Sequence, residues 1–179
     1  MIRLIRRNTY IRGYGRDRKG ATAVEFALIA GPLILMILAC LELALVVLVS
    51  VSLENAVETS ARKIRTDNMA GITSAQTFRE DICGRMDWLS GSCMDNLHVD
   101  VRTFTSFASA ATPPALIVDG KLLDPMAYQV GNGGAIQLVR AYYTWDLLTP
   151  FLKGGLSSLE SGQVALSTTA IFRNEPFER

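Results

Sequence analysis

The chain has 179 residues, of which 49% are hydrophobic and 20% charged, with a formal net charge of +1. That balance excludes a disordered tail, which cannot bury enough apolar surface to order itself, and a nucleic-acid binder, which needs a strongly basic face. The average conceals an asymmetry, because Arg3, Arg6, Arg7, Arg12, Arg16, Arg18 and Lys19 stand before Gly20 against a single acid, Asp17, and the remainder is net acidic.

The first element beyond this arm is a long apolar run. From Phe26 to Leu53 the only ionisable group besides Cys40 is Glu42. These 28 residues, at about 1.5 Å of helix rise each, exceed the roughly 30 Å of a bilayer's hydrocarbon core, so the run predicts one membrane-spanning helix. The basic arm before it and the mixed-charge "ENAVETSARKIRTD" after it place the N-terminus in the cytoplasm and the C-terminal region in the bacterial periplasm. Both Cys83 and Cys93 fall on the exported side, where a disulfide between them is expected. Two buried free thiols are the alternative.

The helical pattern continues past the apolar run, with Leu53, Ala56, Val57, Ala61 and Ile64 at three- and four-residue spacing. It is expected to stop between Asn68 and Gly71, where glycine and a Thr-Ser pair offer a terminus and a new N-cap. Residues 74–89 read as a second helix with Phe78, Ile82, Met86 and Leu89 on one face. The period then changes. "LHVDVRTF" (97–104) alternates apolar and polar residues as a half-buried strand does, which points Asp100 outward, and residues 135–145 and 163–173 carry the β-branched and aromatic residues of two further strands. "ASAATPP" (108–114) and "GNGG" (131–134) read as loops, Asp119-Gly120 as the turn of a small hairpin, and the segment following Leu147 as a turn or short helix. The expected architecture is α+β: a leader over 1–20, a long transmembrane helix over 21–70, and one exported domain over 71–179 with a short helix and an antiparallel sheet of at least three strands.

Catalytic signals are weak. His98 is the single histidine, set on a strand; no G-x-S-x-G elbow and no CxxC occur, and "GNGG" lacks the lysine of a phosphate loop. Neither a metal site nor a cofactor is expected.

The entrance to the apolar run carries more information. "RDRKG" followed by "ATAVEFAL" places basic residues, a glycine, small residues, an acid and an aromatic ahead of the apolar segment, whereas an ordinary secretory signal is cut beyond its apolar core. The stretch "GATAVEFAL" resembles the class III signal of type IV prepilins, and its Glu-Phe form resembles the TadE/TadF-like minor pilins, or pseudopilins, of tight-adherence (Tad/Flp) pili. Pro32, Glu42, "LENAVETSARKIR" (53–65) and "STTAIFRNEPF" (167–177) extend the likeness.

That resemblance implies a pilin-like fold and cleavage by a prepilin peptidase between Gly20 and Ala21. It also implies an assembly role for Glu25, Phe26, Pro32 and Glu42, and partners among other minor pilins, the major Flp pilin and the inner-membrane assembly platform. Within it, Glu25 pairs with the new α-amino group of a neighbouring subunit; without it, Glu25 is an acid in the first turn of the mature helix, favoured by the dipole. Glu42 is either a protonated acid in lipid or a partner within a helical bundle. Gly31-Pro32 marks a bend or a melted turn. The leading expectation is a structural minor pilin in the inner membrane, at the pilus tip or in the filament. An uncleaved, signal-anchored periplasmic binding module and a membrane-tethered hydrolase are the alternatives.

Overall fold

The computed structural model describes residues 20–69, 71–123 and 126–177. The basic arm over 1–19, read above as most of the leader, lies outside the described residues. The architecture is α+β as expected, and the described residues divide into two compact units between Leu41 and Glu42. Helix α1, Ala21–Arg65, passes through both; its 45 residues extend about 68 Å at the α-helical rise.

In the first unit α1 exposes its side chains all round, including Val24, Phe26, Leu33 and Met36. A helix that is apolar on every face requires a bilayer or a bundle of like helices to cover it. The turn at Gly31-Pro32 is helical, so the melted turn allowed by the sequence is absent: proline removes one hydrogen bond, and the flanking turns carry the helix through.

In the second unit α1 becomes amphipathic. Val49, Leu53, Ala56, Val57, Ala61 and Ile64 are buried against one face of a three-stranded antiparallel sheet ordered β1-β4-β5 (Leu97–Phe104, Ile136–Trp145, Val164–Arg173). The register pairs Leu97 with Tyr143, Val99 with Ala141 and Val101 with Val139, which sets all six on the face toward α1. Each fully buried Leu, Val or Ile in this layer contributes about 1.5–3 kcal/mol relative to exposure.

Helix α1 stops at Arg65, ahead of the glycine expected to end it. Asp67 takes a left-handed conformation (φ 53°), and the Asn68 N–H donates to the Lys63 carbonyl at 3.0 Å while that of Asp67 reaches Ile64. This is the Schellman arrangement with aspartate where glycine is usual, a substitution that Asp and Asn tolerate best among side-chain-bearing residues.

The single helix expected over 74–89 is broken into pieces. Helix α2, Ala75–Cys83, starts from a reciprocal cap between Ser74 and Thr77. It ends at Gly84, and a 3-10 turn, Asp87–Leu89, leads into a further helix α3, Ser90–Asn96, which runs directly into β1. Phe78, Ile82, Met86 and Leu89 are all buried, so the apolar spacing identified core residues while concealing the break. A disulfide joins Cys83 to Cys93, whose Cα atoms are 5.6 Å apart, and ties α2 to α3 across that break.

The excursion between β1 and β4 covers the far face of the sheet. "ASAATPP" begins inside a one-turn helix α4, Phe107–Ala110, capped by Ser106 and Ser109, where the sequence suggested only loop. The small hairpin forms as expected, β2 (Ile117–Val118) pairing with β3 (Lys121–Leu122); Asp119 and Gly120 both take positive φ, as a type I′ turn requires. Tyr128 then makes a parallel bridge to Val101 and protects the outer edge of β1. Helix α5, Pro150–Leu156, links β4 to β5.

Candidate functional site

The residues at the entrance of α1 are exposed. Gly20 is exposed, Ala21 is the first residue of α1, and Glu25, Phe26 and Pro32 are exposed after it; Phe26 is 73% exposed. Glu25, expected in the first turn, opens the second instead, because the helix begins at Ala21 and its first turn holds no acid. The helix dipole acts mainly within the first turn, so it supplies only a weak reason for an acid at this position.

Glu42 behaves differently. It is 3% exposed, and its carboxylate accepts hydrogen bonds from the backbone N–H groups of Leu148 and of Thr149, the latter at 2.8 Å. These donors immediately precede α5, whose first residue, Pro150, has no N–H and whose N-cap, Thr149, makes no side-chain capping bond. The four donors at a helix start must find acceptors, and negative charge is favoured there. Glu42 therefore accepts, from 106 and 107 residues away in the chain, hydrogen bonds from the N–H groups of the two residues ahead of the helix. The sequence placed Glu42 in lipid or in a helical bundle; within the chain its carboxyl has two backbone donors of its own. The legible sign was the helix start in "LLTPFLK", with Thr149 at its cap and proline at its first position; its distant partner was not legible.

A second buried charge was missed. Asp100, expected to point to solvent, is fully buried, and both Nη2 and Nε of Arg140 donate to its Oδ2, at 2.7 and 3.2 Å. Arg102 Nε donates to the same carboxylate at 3.0 Å, as does the Ala127 N–H at 3.1 Å; Arg140 Nη1 donates to the Pro114 carbonyl at 2.8 Å. The cluster holds the excursion onto the sheet, and its contacts make it a structural lock.

Asp81 on α2 joins that helix to α1. Ser60 Oγ donates to it at 2.8 Å and Lys63 Nζ at 2.6 Å, with Arg85 Nε 3.4 Å away. Burial alone would raise its pKa, but the hydrogen bonds from Lys63 and Ser60 and the charges of Arg85 and Lys63 outweigh it and hold the carboxyl below the usual range.

Two open depressions remain. One, about 650 Å³, runs between the polar face of α1 at Glu54, Glu58 and Arg62 and β5 at Thr168 and Ile171. The other, about 640 Å³, contains His98, Asp95, Thr144 and Glu160. His98 is half-buried on β1 opposite Tyr142. Among the described residues no group of three His, Cys, Asp or Glu side chains could hold a metal ion.

One helix among the described residues, α1, is long and apolar enough to cross a membrane, which is compatible with a membrane anchor. No curated protein and no solved structure matches the chain. Residues 20–62 match the family model described as TadE-like protein, and over that segment, from the glycine through the apolar run to the amphipathic turns, the chain is TadE-like.

Proposed function

We propose that this protein is a minor pilin of a tight-adherence pilus system, made as a prepilin and cut between Gly20 and Ala21. The observation that carries the reading is the all-round apolar exposure of α1 over 21–41, beginning directly after Gly20 and interrupted by one acid, Glu25. The TadE-like match over the same residues supports it. Such a helix rests in the inner membrane before assembly and in a helical bundle afterward, and both environments cover the same surface.

The N-terminus faces the cytoplasm and the α+β domain the periplasm. The basic arm supports that orientation, and the Cys83–Cys93 disulfide agrees with it, since disulfides persist in oxidising compartments. Cleavage frees an α-amino group on Ala21, and Glu25, exposed one turn along, pairs with that group on an adjacent subunit. Phe26 and Pro32 lie on the same exposed length of helix. The partners are the prepilin peptidase, the other minor pilins or the major Flp pilin, and the inner-membrane assembly platform. The role is structural, in initiating the filament or at its tip.

N-terminal sequencing after co-expression with a prepilin peptidase tests the reading. The expected mature protein begins at Ala21. A product that retains Met1 in the presence of active peptidase would make the chain an uncleaved, signal-anchored periplasmic module.

A further inference from the structure

We propose that α5 and the leucine before it are a second membrane contact, seated in the periplasmic leaflet of the bilayer that α1 crosses and held at that depth by Glu42. The proposal rests on the membrane-anchor reading of α1 and adds to it an interfacial element from the exported domain.

Three observations carry it. Leu148 and Phe151 are 73% and 69% exposed, the two most exposed large apolar side chains outside α1 among the described residues, and Leu156 adds to the same short segment. Their position along α1 is fixed by the two hydrogen bonds from Leu148 and Thr149 to Glu42. At that level α1 itself still exposes Leu41 and Leu43, and Val47 and Leu48 follow just beyond. A hydrocarbon core of roughly 30 Å takes about 20 helical residues, so a span that begins at Phe26 reaches the periplasmic boundary near Leu45. Glu42 then lies just inside that boundary, together with whatever is bonded to it.

The charge pattern fits a lipid surface. From Leu147 to Leu156 the single charged residue is Lys153, whose long stem allows its ammonium to reach the headgroups while the backbone lies lower. The tether also resolves how an acid is accommodated at this depth: its two oxygens are met by backbone N–H groups, which in turn need an acceptor that lipid cannot provide.

The test uses the full chain, with Cys40→Ser and the Cys83–Cys93 disulfide intact, in vesicles of phosphatidylethanolamine and phosphatidylglycerol. A nitroxide is attached at Phe151→Cys, at Met36→Cys in α1, or at Trp88→Cys on the exported domain. Collision with oxygen, which concentrates in lipid, is compared with collision with a water-soluble nickel chelate. The expected oxygen-to-nickel ratio at position 151 lies close to that at 36 and several-fold above that at 88. A lipid-like ratio at 36 with a water-like ratio at 151 overturns the proposal and leaves the anchor standing. Water-like ratios at both overturn the anchor and the proposal with it. A ratio at 151 that falls as the protein is diluted into lipid assigns the face to a second copy of the chain and also overturns it. In Glu42→Gln, an NH2 donor replaces one of the two oxygens that face the Leu148 and Thr149 N–H groups, so one of the two bonds is lost and donor faces donor. The ratio at 151 is then expected to drop several-fold while that at 36 is unchanged; an unmoved ratio at 151 overturns the role given to Glu42.

Discussion

Asp100 and Arg140 show how much one buried charge depends on its partner. Both oxygens of the carboxylate are engaged, by Arg140, Arg102 and the Ala127 N–H, and the Arg140 guanidinium divides its donors between Asp100 and the Pro114 carbonyl, so removing Asp100 leaves the buried Arg140 charge with no counter-charge in this cluster. We expect Asp100→Asn to lower unfolding stability by about 3–5 kcal/mol, the usual consequence of leaving a buried charge uncompensated. The paired replacement Asp100→Leu with Arg140→Met should cost less, because the one charge left from the cluster is Arg102, whose part-exposed side chain can turn to water. Thermal or urea unfolding of the full chain in detergent measures both, and equal losses in the two variants would show that packing, rather than charge pairing, holds the excursion. The pair was hidden from the sequence for a definite reason. Alternation along "LHVDVRTF" correctly assigns Asp100 to the face away from Leu97 and Val99, but it says nothing about whether another segment covers that face. The covering strip is irregular and has no period to read, and the register that sets Asp100 opposite Arg140 is a product of the fold.

At the scale of elements, the docking of α2 on the end of α1 passes through Asp81, with Ser60 and Lys63 as its donors. Its pKa in the folded protein is held below the ordinary value of 3.8. A depressed carboxyl contributes stability that is fully present above its unfolded pKa and is lost as pH falls through the folded one. Asp81→Asn should therefore be less stable than the parent by about 1 kcal/mol at neutral pH, the scale of a partly exposed ion pair with a hydroxyl bond added. The two should converge as pH falls through the lowered pKa of the folded protein, where the parent's carboxyl becomes protonated. Unfolding midpoints from about pH 2 to 7 provide the check, and a constant gap across that range would remove Asp81 from the acid response. The elements with a clear period were legible: the strands at 97–104, 136–145 and 164–173 lie within a residue of their expected bounds, and the five apolar positions of the α1 extension are buried. Their periodicity records which side faces the core, and burial follows from that. Breaks were less legible. The helix expected over 74–89 divides at Gly84 because the disulfide and the sheet receive α2 and α3 as separate pieces, while the end of α1 depends on Asp67 adopting a conformation normally given to glycine.

At the scale of the whole molecule, the two glutamates of the apolar run separate into different tasks. Glu42 is satisfied inside the chain, so its contribution is already made in the monomer. Glu25 is exposed on a helix with no acid in its first turn, and under the proposed function it pairs only when a cleaved neighbour presents its amine. Membrane insertion draws on the exposed apolar side chains around it, such as Val24, Phe26, Leu28 and Ile29, and removing one carboxylate can only make insertion easier. Glu25→Ala should therefore reach the membrane fraction at the parent's level and be cut at Ala21, yet enter pili poorly. A lost low-dielectric pair costs about 3–5 kcal/mol, which corresponds to a reduction in incorporation of about 100-fold or more if assembly is near equilibrium. Quantitative immunoblotting of membranes and sheared pili, with N-terminal sequencing of each fraction, separates the steps. Loss from the membrane fraction would trace the defect to insertion or degradation. Unchanged incorporation in pili would show that the amine of the neighbouring subunit finds no partner in Glu25, and that the acid belongs to recognition by the peptidase or to the helix alone.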